Sequence, residues 1–93
     1  MTQKELTEQL KLHVDKNNKR VYVGLESKDF PCRRIDIVRG ENWTSKNPRY
    51  NMLYYLGGNG VEGGTLRLAR YDLDRRLVLS RFKEWRDADG WIF

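Results

Sequence analysis

An α+β domain is what this 93-residue sequence predicts. Three observations predict it. The first sixteen residues repeat apolar positions at helical spacing, and the rest of the chain alternates with a period of two. The runs of that second kind are joined by connections too short for parallel crossovers, which need a dozen or more residues. The expected architecture is one N-terminal amphipathic helix packed on a curled antiparallel sheet of about five strands. Both a helix-covered meander and a half-open barrel fit that pattern.

The helix spans about residues 2–16. Thr2 followed by Glu5 is a capping-box pair, in which each side chain satisfies a backbone N–H that has no helical partner. Leu6, Gln9, Leu10, His13 and Val14 share one face. Asn17-Asn18 tolerates left-handed backbone and ends the helix near Lys16.

Strands are expected at about 20–26, 32–39, 50–57, 64–71 and 76–83. In RVYVGLE, Val21, Val23 and Leu25 oppose Tyr22. In CRRIDIVR, Ile35 and Ile37 oppose Arg34, Asp36 and Val38. YNMLYYL is apolar on both faces and reads as a central strand. TLRLARY sets Leu66 and Leu68 against Arg67, Ala69 and Tyr71. The fifth segment, RRLVLSRFKEW, reads two ways. Leu77-Val78-Leu79 suits a strand, and Arg75-Arg76 suits a helix N-terminus badly. As a helix, Asp74 would cap it, and Val78, Phe82 and Trp85 would share a face. The strand is the expectation. Asp89-Gly90 is a turn signal, after which Trp91-Ile92-Phe93 folds back as a short strand. No repeat or linker divides the chain, so residues 1–93 form a single domain.

Five of the eight glycines fall between Tyr54 and Leu66, and Gly58 to Gly63 matches G-x-G-x-x-G. A dinucleotide fingerprint needs a helix after the glycines, within a parallel βαβ unit. Here the segment after the glycines, TLRLARYDL, alternates like a strand. No Gly-Lys-Ser/Thr is present, so this is no P-loop either. The loop reads as a hairpin connection whose glycines permit positive φ. Its tip, with Asn59, Val61 and Glu62, is placed to close over a binding face.

Catalytic and metal chemistry find little support. Cys32 and His13 are each alone of their kind, which argues against a disulfide framework or a closed zinc site. A Cys–His pair is a weaker reading than a packed thiol and a helix-face imidazole. Asp72 with Asp74 and Asp87 with Asp89 form two D-x-D pairs. Both lie in turn signals, where aspartate bonds nearby backbone. The expectation is a non-enzyme with no metal and no cofactor. No apolar run is long enough to span a membrane, and the N-terminus lacks a hydrophobic signal segment. The expected setting is cytoplasmic, where the sequon Asn42-Trp43-Thr44 is idle.

The formal net charge is +5 and the pI is about 9.6. Lys and Arg exceed Asp and Glu by ten to seven in residues 1–46 and by eight to six in 47–93. Such an even excess describes a basic face rather than a basic arm. Basic residues also interleave with aromatics. Trp43, Lys46 and Arg49 lie in or beside one long loop, and Arg33, Arg34, Arg67, Arg70 and Tyr71 lie on strands. Guanidinium groups bind phosphate by paired hydrogen bonds and stack on bases. An arginine- and tyrosine-bearing sheet is one way to hold single-stranded nucleic acid.

The first expectation is therefore a small binding protein that engages a polyanion, nucleic acid above all. Trp43 and Tyr71 would stack, and Arg33, Arg34, Arg49, Arg67 and Arg70 would meet phosphates. The rival is a protein-interaction module, an accessory or inhibitor subunit docking on a larger complex, since Trp, Tyr and Arg dominate interface hot spots. A third reading is a protein sequestering a small nucleotide, as a homo-oligomer with the ligand between subunits. Arginines gathered on one face would favour nucleic acid. Scattered arginines would favour the protein partner.

Overall fold

The computed structural model describes residues 1–25, 32–59 and 61–87. In chain order these give α1 (Gln3–Gln9), a π-helical continuation (Leu10–Asp15), β1 (Val21–Leu25), β2 (Arg33–Arg39), β3 (Tyr50–Leu56), β4 (Thr65–Leu73) and α2 (Arg75–Asp87). The strands form an open antiparallel meander in the order β1-β2-β3-β4. The described residues thus form an α+β fold with four strands and a second helix, where the sequence predicts five strands and one helix. The barrel alternative gives way to the helix-covered meander. The expected turn at Asp89-Gly90 and the strand at 91–93 lie outside the described residues.

Each helical end obeys its local chemistry. Thr2 Oγ1 accepts from the Glu5 backbone N–H at 3.1 Å and donates to the Glu5 carboxylate at 3.2 Å. The capping pair therefore closes through the hydroxyl. Beyond Gln9 the backbone pairing loosens to the i→i−5 type, as in the 3.2 Å bond from Lys16 N–H to the Lys11 carbonyl. Leu10 and Val14 stay buried across this stretch, and Asp15 emerges at the end of the sheet. Asn18 then takes a left-handed φ of 52° and stops the helix.

The segment expected as a fifth strand is α2. Asp74 caps it by accepting from the Leu77 N–H at 2.8 Å. Val78, Phe82 and Trp85 are all buried, a spacing that only a helix brings to one face. Burying each such side chain stabilises the fold by about 1.5–3 kcal/mol, more than the strand preference of Leu77-Val78-Leu79 provides. Of the two N-terminal arginines, Arg75 is offset by its pair with Asp15 at 2.7 Å, and Arg76 is exposed to solvent.

Both helices lie on one side of the sheet. Leu6, Leu10, Val14, Val78, Phe82 and Trp85 pack there on Val21, Val23, Ile35, Ile37, Tyr50, Met52, Tyr54 and Leu73. Trp85 meets Tyr54 edge to face, with centroids 6.0 Å apart. Central β3 supplies Tyr50, Met52 and Tyr54 to this core, all fully buried. The edge strand β4 carries an extra residue twice. Leu66 and Leu68 face the consecutive pair Tyr55 and Tyr54, and Tyr71-Asp72 stands opposite the single Asn51. At the second irregularity Asp72 adopts a φ of 57° and donates its N–H to Asn51 Oδ1 at 3.1 Å. Such bulges discourage pairing along an exposed edge.

Candidate binding face

The sheet face opposite the helices is built by the register. One cross-strand row is Tyr22, Asp36, Leu53 and Ala69, and the next is Gly24, Arg34, Tyr55 and Leu66. Arg49 precedes the core residue Tyr50 and so continues the row of Asn51, Leu53 and Tyr55 along β3. Tyr71 stands opposite Asn51 on the same face. Seven large apolar side chains are exposed among the described residues. Three of them, Tyr22 at 43%, Leu66 at 46% and Tyr71 at 62%, lie on this face. A fourth, Val61, belongs to the glycine loop.

That loop does more than turn a corner. Gly57 and Gly58 enter it, and Gly63 and Gly64 leave it, with φ between 73° and 90°. A Cβ on Gly58 would stand 2.4 Å from the Glu62 carbonyl oxygen, so only glycine fits that crossing. Between the hinges, Asn59 Oδ1 accepts from the N–H groups of Val61 at 3.0 Å and Glu62 at 2.8 Å. The Val61 carbonyl then accepts from Arg20 Nη2 at 2.8 Å. Arg20 lies just before β1, at the far edge of the sheet, so the loop is a strap returning over the outer face.

Under the strap side lies a charged triad. Arg34 Nε donates to Asp36 Oδ1 at 2.6 Å, and Arg20 Nη1 donates to Asp36 Oδ2 at 3.3 Å. The Arg34 guanidinium sits 4.5 Å from the Tyr55 ring centroid, and the Arg20 guanidinium 4.9 Å from that of Tyr22. Arg34 and Asp36 are both almost fully buried. Alternation predicts a solvent-reaching Arg34, but it is buried, paired with Asp36 and stacked on the Tyr55 ring, with Arg20 on the same carboxylate.

The remaining predicted site residues divide between faces. Arg67 is exposed at the first bulge of β4, and Lys46 is exposed in the loop between β2 and β3. Arg33 lies on the helix side with Ile35, where it approaches the Tyr54 phenol and offsets part of the upward push that burial gives that group. Arg70 stands opposite core residue Met52, also on the helix side, and its Nη1 returns to the Ala69 carbonyl at 2.9 Å. Trp43 is half-buried against the core. Its Nε1 donates to Asp15 Oδ1 at 3.1 Å, and the Arg39 guanidinium stacks 3.5 Å above its ring. The structure therefore brings Arg34, Arg49 and Tyr71 to one face, leaves Arg67 at the bulge between the faces, and separates Arg33, Arg70 and Trp43 from them.

Sequence reading misses the hub around Asp15. Its carboxylate accepts from Trp43, from the Tyr50 hydroxyl at 2.6 Å, and from Arg75 Nη2 at 2.7 Å. Arg39 donates to the backbone carbonyls of Val14 and Asp15. Burial pushes the Asp15 carboxyl up, but the bonds from Tyr50, Trp43 and Arg75 outweigh it and hold the group below the usual carboxylate range. Burial, reinforced by the bond to Asp15, pushes the Tyr50 phenol up to about 12. Partners as far as 60 positions apart make this hub, so no local pattern announces it. It ties the helical end, the β2–β3 loop, β3 and α2 together, and it lies away from the open face.

On the helical side an open groove of about 550 Å³ is lined by Gln3, Arg75, Arg76, Leu79, Ser80 and Lys83. Gln3 spans it by donating to the Leu79 carbonyl at 3.1 Å. Among the described residues there is no grouping of three His, Cys, Asp or Glu suited to a metal ion, and no helix is long and apolar enough to cross a membrane. No protein-family model, no curated protein and no solved structure matches this chain.

Proposed function

We propose that this chain is a non-enzymatic protein-interaction module whose open sheet face docks on an acidic, apolar-bearing surface of a larger partner protein. The observation that carries this reading is the one-sided sheet. Helices cover one face, while Tyr22, Leu66 and Tyr71 stand exposed on the other with Val61 on the strap beside them. Concentrated exposed apolar surface on a small domain is characteristic of docking sites. Arg20 and Arg49 flank that centre, and Arg67 is exposed at the bulge next to Leu66. Arg49 and Arg67 make no ion pair among the described residues. Aromatic anchors beside arginines are the composition of an interface hot spot, and these cations complement an acidic partner.

Nucleic acid, the first expectation from composition, is supported less well. Arg33 and Arg70 lie on the helix side, and Arg34 is enclosed. The arginines needed for a continuous phosphate track are thus divided between two faces.

The test is affinity capture from nuclease-treated lysate, followed by reconstitution with the purified partner. A partner of acidic pI that binds stoichiometrically, is lost with Leu66→Asp or Tyr71→Ala, and is retained with Leu77→Asp on exposed α2 surface supports the reading. Capture indifferent to the sheet-face substitutions, or a basic partner, overturns it. Binding to an oligonucleotide that weakens by about 0.7–0.9 log units per phosphate contact per log unit of salt overturns it in favour of nucleic acid.

A further inference from the structure

The two strands at the ends of the sheet are protected unequally. β4 carries two extra residues and a left-handed Asp72, which disrupt its outer edge as a template for pairing. β1 has no such device. Its five residues pair with β2 one for one, without a shift of register. The strand VYVGL contains no proline and no charged side chain. Among the described residues no strand lies on its far side. Alternate residues there turn their N–H and C=O groups outward, and a regular edge of this kind is a template for another strand.

The edge is complementary to itself. Two copies of β1 laid antiparallel about Val23 pair all five residues: Val23 meets Val23, Val21 meets Leu25, and Tyr22 meets Gly24. Centring the pair on Tyr22 or Gly24 instead pairs only three of the five. The Val23 register also matches shapes. Gly24 is exposed, and a Cβ built on it would meet nothing within 4 Å. It has no positive φ to require glycine. Tyr22, on the same outer face, is 43% exposed even with the Arg20 guanidinium 4.9 Å from its ring centroid. Across the pair, each Tyr22 stands over the bare backbone of the other copy's Gly24, where an aromatic ring restores the packing that an edge glycine forgoes. On the helix side Val21 and Val23, both buried, continue the apolar core across the junction. Charge does not oppose the contact, because the strand is neutral and Arg20 at its head is turned onto Asp36.

We infer that β1 is a self-association edge. A second copy of this chain adds its own β1 there, antiparallel about Val23, and joins the two four-stranded sheets into one. A five-residue edge buries less surface than a stable interface needs, so the dimer is weak and forms as concentration rises. The inference stands apart from the docking reading, since it rests on the strand edge and leaves the open faces of both copies side by side.

The experiment follows the full chain by sedimentation equilibrium from about 10 μM to about 1 mM. At the upper concentration, an equimolar mixture of isotope-labelled and unlabelled chain is measured by isotope-filtered NOE spectroscopy. The expected result is a mass that rises from 11.1 kDa toward twice that value, with intermolecular contacts from the Tyr22 ring to the Gly24 α-protons. Gly24→Lys sets a charged side chain beneath the partner's ring and should raise the dissociation midpoint at least about tenfold, with the far-ultraviolet circular dichroism of the wild type. Tyr22→Ala removes the ring, leaves the core side of the strand untouched, and should weaken the dimer by about tenfold through two lost cross-strand pairs. A chain that stays monomeric throughout the range overturns the inference. So does a dimer whose intermolecular contacts fall on β4 or on the open face, or one that both substitutions leave intact.

Discussion

The Tyr50 hydroxyl lies 2.6 Å from the Asp15 carboxylate, although the two residues are 35 positions apart. That bond joins the end of the first helical segment to the start of the central strand. Trp43 and Arg75 complete the same carboxylate, so Asp15 behaves as a keystone of the fold rather than as a reactive group.

Asp15→Asn should therefore lower stability by about 1–2 kcal/mol, discounted for the partial exposure of the Arg75 pair. Because the folded Asp15 carboxyl titrates below its unfolded range, its contribution is present above the unfolded value, near pH 4. It is lost as pH falls through the folded value. Thermal melts from pH 6 to pH 2 should show a steeper acid-side decline in the wild type than in Asp15→Asn.

Tyr50 gives the opposite sign. Its phenol is raised from 10.0 to about 12, so its contribution is complete below pH 10 and declines as pH rises toward 12. Ultraviolet titration should find late-ionising tyrosines in the wild type and one fewer in Tyr50→Phe, the buried Tyr54 phenol being raised as well. A wild type in which every tyrosine ionises near pH 10 would contradict the hub geometry.

The second helix is tested by its buried stripe. Phe82 is 1% exposed, and Phe82→Ala should cost about 3–5 kcal/mol in denaturant unfolding. Asp74→Ala should cost about 1 kcal/mol through the lost cap. Lys83→Ala, on the exposed side, should stay within about 0.5 kcal/mol. Were the segment a strand, Asp74→Ala would have no such effect.

The two best-defined glycines should respond oppositely to alanine. Gly58→Ala places a methyl group 2.4 Å from a carbonyl oxygen at a φ of 73°, and it should destabilise the strap by about 1–3 kcal/mol. Gly24→Ala meets open space and should be neutral or stabilising by a few tenths of a kcal/mol in a strand. Paired thermal melts of the two variants decide the matter.

Local sequence determined much of the fold. The capping pair at Thr2 and Glu5, the left-handed stop at Asn18 and the alternation of β1 to β3 are legible because each depends on neighbours within a few positions. In β4, by contrast, the extra residue at Arg67 puts Leu66 and Leu68, expected on one face, on opposite faces. The glycine loop is legible as a hairpin, because the residues after it alternate as a strand. The final segment misleads because Leu77-Val78-Leu79 and the helical stripe Val78, Phe82, Trp85 are both present. Only an apolar surface waiting on the sheet decides between them.

What the tertiary structure alone decided is where charge goes. Arg34 and Asp36 sit two apart on one strand and so share a face, a relation legible in the sequence. Their burial is not, because it comes from Tyr55 on one neighbouring strand and Arg20 before another. The arginines that composition groups together are separated because consecutive strand residues point to opposite faces and the helices cover only one. Asp15 looks like an ordinary helix-end acid until Trp43, Tyr50 and Arg75 converge on it. Local interactions write the elements into the sequence, whereas long-range packing determines which polar groups are enclosed and which face of the sheet the helices leave uncovered.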